Sequence, residues 1–404
     1  MEIQTEAVDS DVRADAQNVL HRYPAPLVAF ALAATLRALY TALAGFAVPY
    51  LLLLPAFITG NHFTEHLMTP AAGLQYALLG VWERLDTLNY IHIAQFGYNE
   101  PFIVVFYPVY PLLIRLLTPV FGSALLTALV ISSVAAFFLF WGLLLLFRLD
   151  LPEKVAIRTL VFYALWPASF ILFCGYVESL VLALVVWSIY FARTGRLWLA
   201  GLLGFFAPLS KAIGIIVVPA LAGLAVRERR WRNLWAALPL AGAAAYPLWL
   251  HLSGHPQPWQ AYPVFWQTKS NWPWITVIHA VQTLLHLLQF GGLTSPVQVA
   301  MRAGWGLFFG LQLCWMAIVF ALALSRRLRM EYLLYGAAGI WIVLMKDSEI
   351  AQQQWIRYML MLFPAAIAFS VREKDSFLFA ASTVLLFLFN LLLLWFFLQW
   401  ILVL

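Results

Sequence analysis

Charged residues are scarce in this chain. Asp, Glu, Lys and Arg together make up 10% of its 404 residues, and hydrophobic residues make up 64%, whereas about 25% of a typical soluble domain is charged. The composition therefore excludes an ordinary soluble protein and predicts one embedded in a membrane. The net charge of +6 would favour a nucleic-acid partner in a soluble protein. Arginine-rich cytoplasmic loops account for it here, so we expect no nucleic acid.

Several other features are missing. Cys174 and Cys314 are the two cysteines, and both lie in apolar stretches without CxxC or paired loop spacing, so we predict neither a disulfide framework nor a zinc site. The sequence has no glycine-rich phosphate loop, which argues against a nucleotide-driven pump. Residues 1–23 lack the short apolar core of a cleavable signal peptide, so we expect the first membrane helix to direct insertion.

Apolar stretches recur along almost the whole chain. A spanning helix needs about 20 largely apolar residues, and this rule predicts about eleven membrane segments. They are residues 27–57, 121–147, 157–173, 176–192, 197–209, 212–226, 234–252, 299–324, 331–345, 355–371 and 377–404. We therefore predict an all-α polytopic membrane protein, with a cytoplasmic tail at residues 1–26 and a single transmembrane domain at residues 27–404.

The distribution of Lys and Arg predicts the orientation. About two thirds of these cations fall in one set of alternate loops, and cations are retained on the cytoplasmic side. The two longest loops, residues 58–120 and 253–298, then face the outside of the cell, or the lumen of the endoplasmic reticulum in a eukaryote. Because the cytoplasmic connections are too short to build a site, we expect the site on the opposite face, with interfacial helices in the first outer loop.

Residues 82–98 of this first outer loop are rich in polar side chains, and Asp86 is the candidate catalytic residue among them. Its polar neighbours are Arg84, Asn89, Tyr90 and His92. A carboxylate at the membrane surface among such groups could act as a general base. Alternatively, Asp86 caps an interfacial helix that starts at the next residue, since Asp is a favoured N-cap. The sequence chemistry leaves both interpretations open.

Five short motifs, in order, resemble the PIG-V mannosyltransferase family and its bacterial relatives. The first motif begins with Arg and Asp, continues with Tyr, and ends with Ile-Ala and Gly-Tyr. The next three resemble Phe-Pro-x-Tyr-Pro, then Pro-x-Ser-Phe with Tyr-Ser-Glu-Ser-Leu, then Thr/Ser-Arg-x-x-Gly, and the last resembles Arg-Tyr followed by Phe-Pro. They lie at residues 84–98, 106–113, 167–180, 210–214 and 357–364. Leu85 replaces the family's usual Trp and Val177 replaces a Ser, two departures that could change the specificity for the sugar or the acceptor.

The resemblance implies the fold of the glycosyltransferase C superfamily, with many membrane helices and an active site on the non-cytoplasmic face. The family's loop carboxylate corresponds to Asp86. The implied reaction transfers a sugar, by resemblance mannose, from a polyprenyl-phosphate donor to a lipid-linked or glycan acceptor with inversion. The implied partners are therefore this donor, the acceptor and membrane lipids, and the chemistry requires no metal or other cofactor.

Further candidate residues lie at the ends of apolar segments. Lys211 and Arg357 could hold a lipid phosphate and offset the charge that grows on it, or their side chains could simply snorkel to the interface. Glu178 could pair with one of these cations or bind a sugar hydroxyl. Tyr358, next to Arg357 in the fifth motif, completes the predicted substrate-binding residues.

Two functions from other classes stay open at this stage. A transporter or lipid flippase would use broken helices, as predicted near Pro208, and polar residues at mid-membrane. Carriers typically show internal repeats, which are not evident in this sequence. A non-catalytic subunit of a glycosylation complex would tolerate the loss of Asp86, whereas an enzyme that uses this carboxylate as its base would not.

Overall fold

The computed structural model describes residues 23–51, 58, 62–65, 67–227, 234–291 and 295–401. Within these ranges nearly all regular structure is helical, and one short antiparallel pair of strands is present. The predicted all-α class is therefore confirmed. The cytoplasmic tail predicted at residues 1–26 lies almost entirely outside the described residues.

The α-helices vary widely in length. They are α1 (Ala25–Ala47), α2 (Leu74–Leu78), α3 (Asp86–Phe96), α4 (Val109–Phe121), α5 (Ala124–Arg148), α6 (Glu153–Ala164), α7 (Glu178–Arg193), α8 (Leu197–Ser210), α9 (Val217–Arg227), α10 (Leu238–Leu252), α11 (Pro258–Phe265), α12 (Pro273–Leu287), α13 (Pro296–Ala323), α14 (Met330–Met345), α15 (Glu349–Tyr358), α16 (Pro364–Arg372) and α17 (Ser376–Leu398). The strands are β1 (Lys269–Ser270) and β2 (Lys346–Asp347). Short 3-10 turns join several of these elements.

Among the described residues, 4 helices are long and apolar enough to cross a membrane. They are Ala25–Tyr50, which is α1 with its 3-10 extension, Ala124–Arg148, Gln298–Ala323 and Ser376–Leu398. The bent pair Ala351–Leu362 and Pro364–Arg372, whose axes differ by 69°, makes a fifth span if the two helices cross together. These helices identify a membrane-embedded protein, and the total of about eleven crossings stays a prediction.

Several predicted segments are helical but not continuous. In the segment predicted at 157–173, the α-helix ends at Ala164. The chain then turns at Pro167 and Ala168, and the φ of Ala168 is +66°, in the left-handed region. The segment at 355–371 breaks before Pro364, which is the first residue of α16. Proline has no backbone N–H to donate and clashes with the preceding helical turn, so a new helix starts there.

The helices approach one another closely where they carry glycine. α7 packs between α5 and α8, and α8 packs against α10. A Cβ atom on Gly242 of α10 would lie 2.0 Å from the carbonyl oxygen of Phe205 on α8, and one on Gly142 of α5 would lie 2.9 Å from the indole nitrogen of Trp187 on α7. Small residues therefore let these helices pack tightly, as is common in membrane bundles.

The two predicted outer loops fold against each other and against the membrane helices. The Tyr110 hydroxyl of α4 lies 2.6 Å from Ser132 Oγ on α5, and Ser132 donates to the Tyr176 carbonyl just before α7. The Trp266 indole of the second loop donates to the Phe102 carbonyl of the first loop at 2.9 Å. The strand pair β1–β2 ties the second loop to the end of α14. These contacts hold the two loops against α5, the start of α7 and the end of α14.

Candidate functional site

Asp86 is the first residue of α3, and the residue before it has a strained backbone. Leu85 occupies the N-cap position with a φ of +48°, a region that side chains with a Cβ atom rarely adopt. Such strain is retained only where the surrounding structure holds it, and it clusters at functional sites. The Asp86 carboxylate is engaged by Arg357, whose Nη1 donates to Oδ2 at 2.7 Å.

A second carboxylate lies on the other side of Arg357. Glu178 begins α7, and its Oε1 lies 3.5 Å from Arg357 Nε and 2.5 Å from Lys211 Nζ. Lys211 is held in an extended conformation where α8 stops, so its side chain leaves the helical path. Four residues that are far apart in the sequence therefore form one chain of alternating charges, from Asp86 through Arg357 and Glu178 to Lys211.

Lys346, the first residue of β2, is a third cation at this site. Its Nζ lies 3.0 Å from the Tyr262 hydroxyl and 3.5 Å from the Tyr358 hydroxyl. Lys211 Nζ lies 5.1 Å from the centre of the Tyr358 ring, so both ammonium groups contact one tyrosine. A cavity of about 30 Å³ separates the two lysines. Burial alone would lower the pKa of Lys346, but the hydroxyls of Tyr262 and Tyr358 outweigh it and the pKa lies above the ordinary value.

The sequence reasoning did not single out Lys346, although a signal for it was present. Lys346 directly follows an apolar segment on the predicted outer side, the same pattern that pointed to Lys211. We define the ion cluster as Asp86, Glu178, Lys211, Lys346, Arg357 and Tyr358. It contains three cations and two carboxylates, and this excess of positive charge favours an anionic ligand.

Exposure separates the roles of the two carboxylates. The Asp86 side chain keeps 13% of its surface exposed, whereas that of Glu178 keeps 1%. A general base must come within hydrogen-bond distance of the group whose proton it takes. Of the two carboxylates, Asp86 is the one that a ligand could reach, while Glu178 is enclosed between Arg357 and Lys211.

The remaining predicted site residues are placed differently. Arg84 is buried and donates to the Leu398 carbonyl at 3.3 Å and to the Tyr76 hydroxyl at 3.3 Å, so it joins the first loop to the end of α17. The Asn89 amide donates to the carbonyl of Leu85 at 3.3 Å. His92 lies 2.8 Å from Asn99 Oδ1. The structure thus gives Arg84, Asn89 and His92 partners within the fold and does not bring them into the ion cluster.

Tyr90 lies close enough to the ion cluster to interact electrostatically with Asp86, Glu178 and Arg357. It is buried, with its ring edge-to-face against Phe106 and Tyr110 at 5.2 and 4.9 Å. Burial first, and then the negative charges of Asp86 and Glu178, raise the pKa of the Tyr90 hydroxyl well above its ordinary value. The phenol of Tyr90 is therefore neutral. A role for Tyr90 in binding substrate stays a prediction.

An apolar groove of about 900 Å³ runs along α4, α5 and α7. Its walls are leucine, valine, alanine and aromatic side chains, with Arg196 at one end. Leu180 on its wall is two residues along α7 from Glu178. Residues two apart in a helix point in nearly opposite directions, so the groove begins near the level of Glu178 along the helix axis but lies on the other side of α7.

Comparison with protein families and with curated proteins finds no match. No protein-family model matches the chain, and no curated protein matches it. The similarity to PIG-V enzymes consequently remains a resemblance of short motifs. Among the described residues, no group of three or more His, Cys, Asp or Glu side chains could hold a metal ion.

Proposed function

We propose that this chain is an integral membrane glycosyltransferase. It transfers a sugar, by motif resemblance mannose, from a polyprenyl-phosphate donor to a hydroxyl of a lipid-linked or glycan acceptor, with inversion. The observation that carries the proposal is the pairing of a partly exposed carboxylate, Asp86, with a site rich in cations. A base next to an anion site is what glycosyl transfer from a sugar phosphate requires.

The cations supply the donor's binding site in this mechanism. The phosphate of the donor binds among Arg357, Lys211 and Lys346, because three cations there face only two carboxylates. As the bond from the anomeric carbon to the phosphate oxygen breaks, negative charge grows on the leaving polyprenyl phosphate. Preorganised cations stabilise that charge more strongly in the transition state than in the bound donor, which lowers the barrier.

Asp86 acts on the acceptor. Its carboxylate takes the proton of the acceptor hydroxyl while that oxygen attacks the anomeric carbon on the face opposite the phosphate. The new glycosidic bond forms as the bond to phosphate breaks, so the configuration at the anomeric carbon inverts. Arg357 contacts Asp86 at 2.7 Å and the donor phosphate in turn, so it couples the base to donor binding.

The apolar groove supports a lipid-linked donor. It is lined almost entirely by apolar side chains and runs along helices that begin near the ion cluster. The isoprenoid chain of such a donor is already surrounded by lipid, so the groove would act by van der Waals packing and by positioning the chain rather than by removing it from water. A donor with its lipid in the groove would pass the first turn of α7, where Glu178 lies, to bring its phosphate to Arg357.

The test is a direct assay of donor cleavage. The purified chain in lipid nanodiscs is given a polyprenyl-phosphate mannose with a radioactive sugar and a total membrane lipid extract as the acceptor source. We expect radioactive sugar to move to the extract and free polyprenyl phosphate to accumulate, with no transfer from a nucleotide sugar. If the donor stays intact but crosses the bilayer of vesicles that contain the chain, the protein is a flippase and the proposal is wrong.

A further inference from the structure

A second polar cavity lies outside the ion cluster, between α12, α13 and α15. It has a volume of about 290 Å³, near the lower end of the range for small-molecule sites. Most of its polar lining comes from His286, Arg302, Glu349, Gln352 and Gln353. We call it the α12–α13 cavity.

The lining of this cavity carries no net charge. Arg302 Nη2 lies 3.1 Å from His286 Nε2. A guanidinium only donates hydrogen bonds, so the imidazole nitrogen accepts in this contact. Arg302 and Glu349 then balance each other. The ion cluster, with its excess of positive charge, favours an anion, whereas this cavity favours a neutral polar ligand.

The polar groups offer both donors and acceptors in fixed positions. Arg302 is held by the Gln289 carbonyl at 2.8 Å as well as by His286. Gln352 is 2% exposed, and its Oε1 has no hydrogen-bond partner among the described residues. That amide oxygen is closed off from the cavity, so the side chains that a ligand reaches are those of Arg302, Gln353 and Glu349.

An aromatic ring completes the cavity. Trp305 of α13 lines it and is fixed edge-to-face against Phe308 at 5.9 Å. A rigid indole presents a flat apolar face next to polar groups. A ligand that matches this wall has one face of C–H groups and a rim of hydroxyls, which is the chemistry of a sugar ring.

We propose that the α12–α13 cavity binds a neutral sugar residue of a glycan. Gln353 lines the cavity and lies four residues before Arg357 on α15, so both are on one side of the helix about 6 Å apart along its axis. A glycan with one sugar in the cavity therefore extends towards Asp86. Naming that glycan the acceptor rests on the proposed function, whereas sugar binding itself does not.

The experiment measures binding without catalysis. Saturation-transfer NMR on the nanodisc-embedded chain, with the neutral disaccharides maltose and mannobiose as probes, should detect at least one of them. We expect Gln353→Leu and Arg302→Met each to weaken that binding about tenfold or more, since each loses a polar contact. Arg115→Met is the matched control, because Arg115 is an exposed cation that lines a different cavity.

The outcomes separate the cavity from the enzyme. Sugar binding that survives in Asp86→Asn and falls in the two cavity variants supports the proposal, even if donor cleavage is never observed. Equal binding by the parent and both folded cavity variants, or no binding of either disaccharide by the parent, overturns it. Displacement of the sugar by inorganic phosphate at equal concentration would also overturn it, because the cavity would then be an anion site. Thermal unfolding of each variant verifies that it is folded.

Discussion

Replacing Asp86 by Asn tests the proposed mechanism most directly. The amide keeps nearly the shape of the carboxylate, and its oxygen can still accept from Arg357 Nη1, which lies 2.7 Å from Asp86 Oδ2. It cannot take a proton from an acceptor hydroxyl. Loss of a general base costs about 10²- to 10⁴-fold in rate, which corresponds to about 2.7–5.4 kcal/mol in the activation barrier.

The effect on stability should be much smaller. Removing one whole partner of a buried ion pair costs about 3–5 kcal/mol, because the other charge is left without compensation. In Asp86→Asn the guanidinium keeps an accepting oxygen and also keeps Glu178, 3.5 Å from its Nε. We therefore expect a loss of about 1–2 kcal/mol in the free energy of unfolding, which leaves the protein folded.

Asp150→Asn is the matched control. Asp150 also forms a close pair with an arginine, Arg193, at 2.5 Å, and its side chain is 10% exposed. The substitution removes the same charge from a similar pair outside the ion cluster. We expect the donor-cleavage rate to stay near the parental value in Asp150→Asn and to fall by at least about 10²-fold in Asp86→Asn. If Asp86→Asn is folded and transfers sugar at a near parental rate, Asp86 is not the base.

Three further predictions follow from the placement of cations and loops. Lys211→Gln should reduce donor use by about 10²- to 10³-fold and Lys346→Gln by about 10-fold or more, since each would remove a positive charge that faces the leaving phosphate. Unchanged donor kinetics in both variants would leave Lys211 only as the counter-ion of Glu178. Arg84→Ala should lower the free energy of unfolding by about 3 kcal/mol, seen as a lower Tm, while activity per folded molecule persists. In a background without the native cysteines, Cys at Gln95 should react with an impermeant thiol reagent from outside and Cys at Thr194 should not; the reverse labelling contradicts the predicted topology.

Sequence patterns identified four of the residues in the ion cluster. Asp86, Glu178, Lys211 and Arg357 were singled out by loop chemistry, by motif resemblance and by their position at the ends of apolar segments. The structure brings these four side chains into one cluster. Local patterns could not show that Arg357 contacts both carboxylates, because that contact joins residues that are 271 positions apart.

Other residues depended on packing that no local pattern reveals. Arg84 lies in the same motif as Asp86, yet it contacts the end of α17, 314 residues later in the chain. The breaks at Ala168 and before Pro364 interrupt stretches of uniform hydrophobicity, where helical periodicity gives no signal. Hydropathy also cannot count crossings in a bundle that contains short and bent helices, because such helices fall below the length of a full span.

The sequence by itself determined that the protein lies in lipid and that its structure is helical. A chain with 10% charged and 64% hydrophobic residues has to bury its surface in lipid, and helices satisfy their backbone groups there within one segment. The tertiary structure alone decided which carboxylate is accessible, that Lys346 joins the cations, and that Arg84 stabilises the fold. These properties depend on exposure and on contacts between distant residues, and they arise only when the helices and both outer loops pack together.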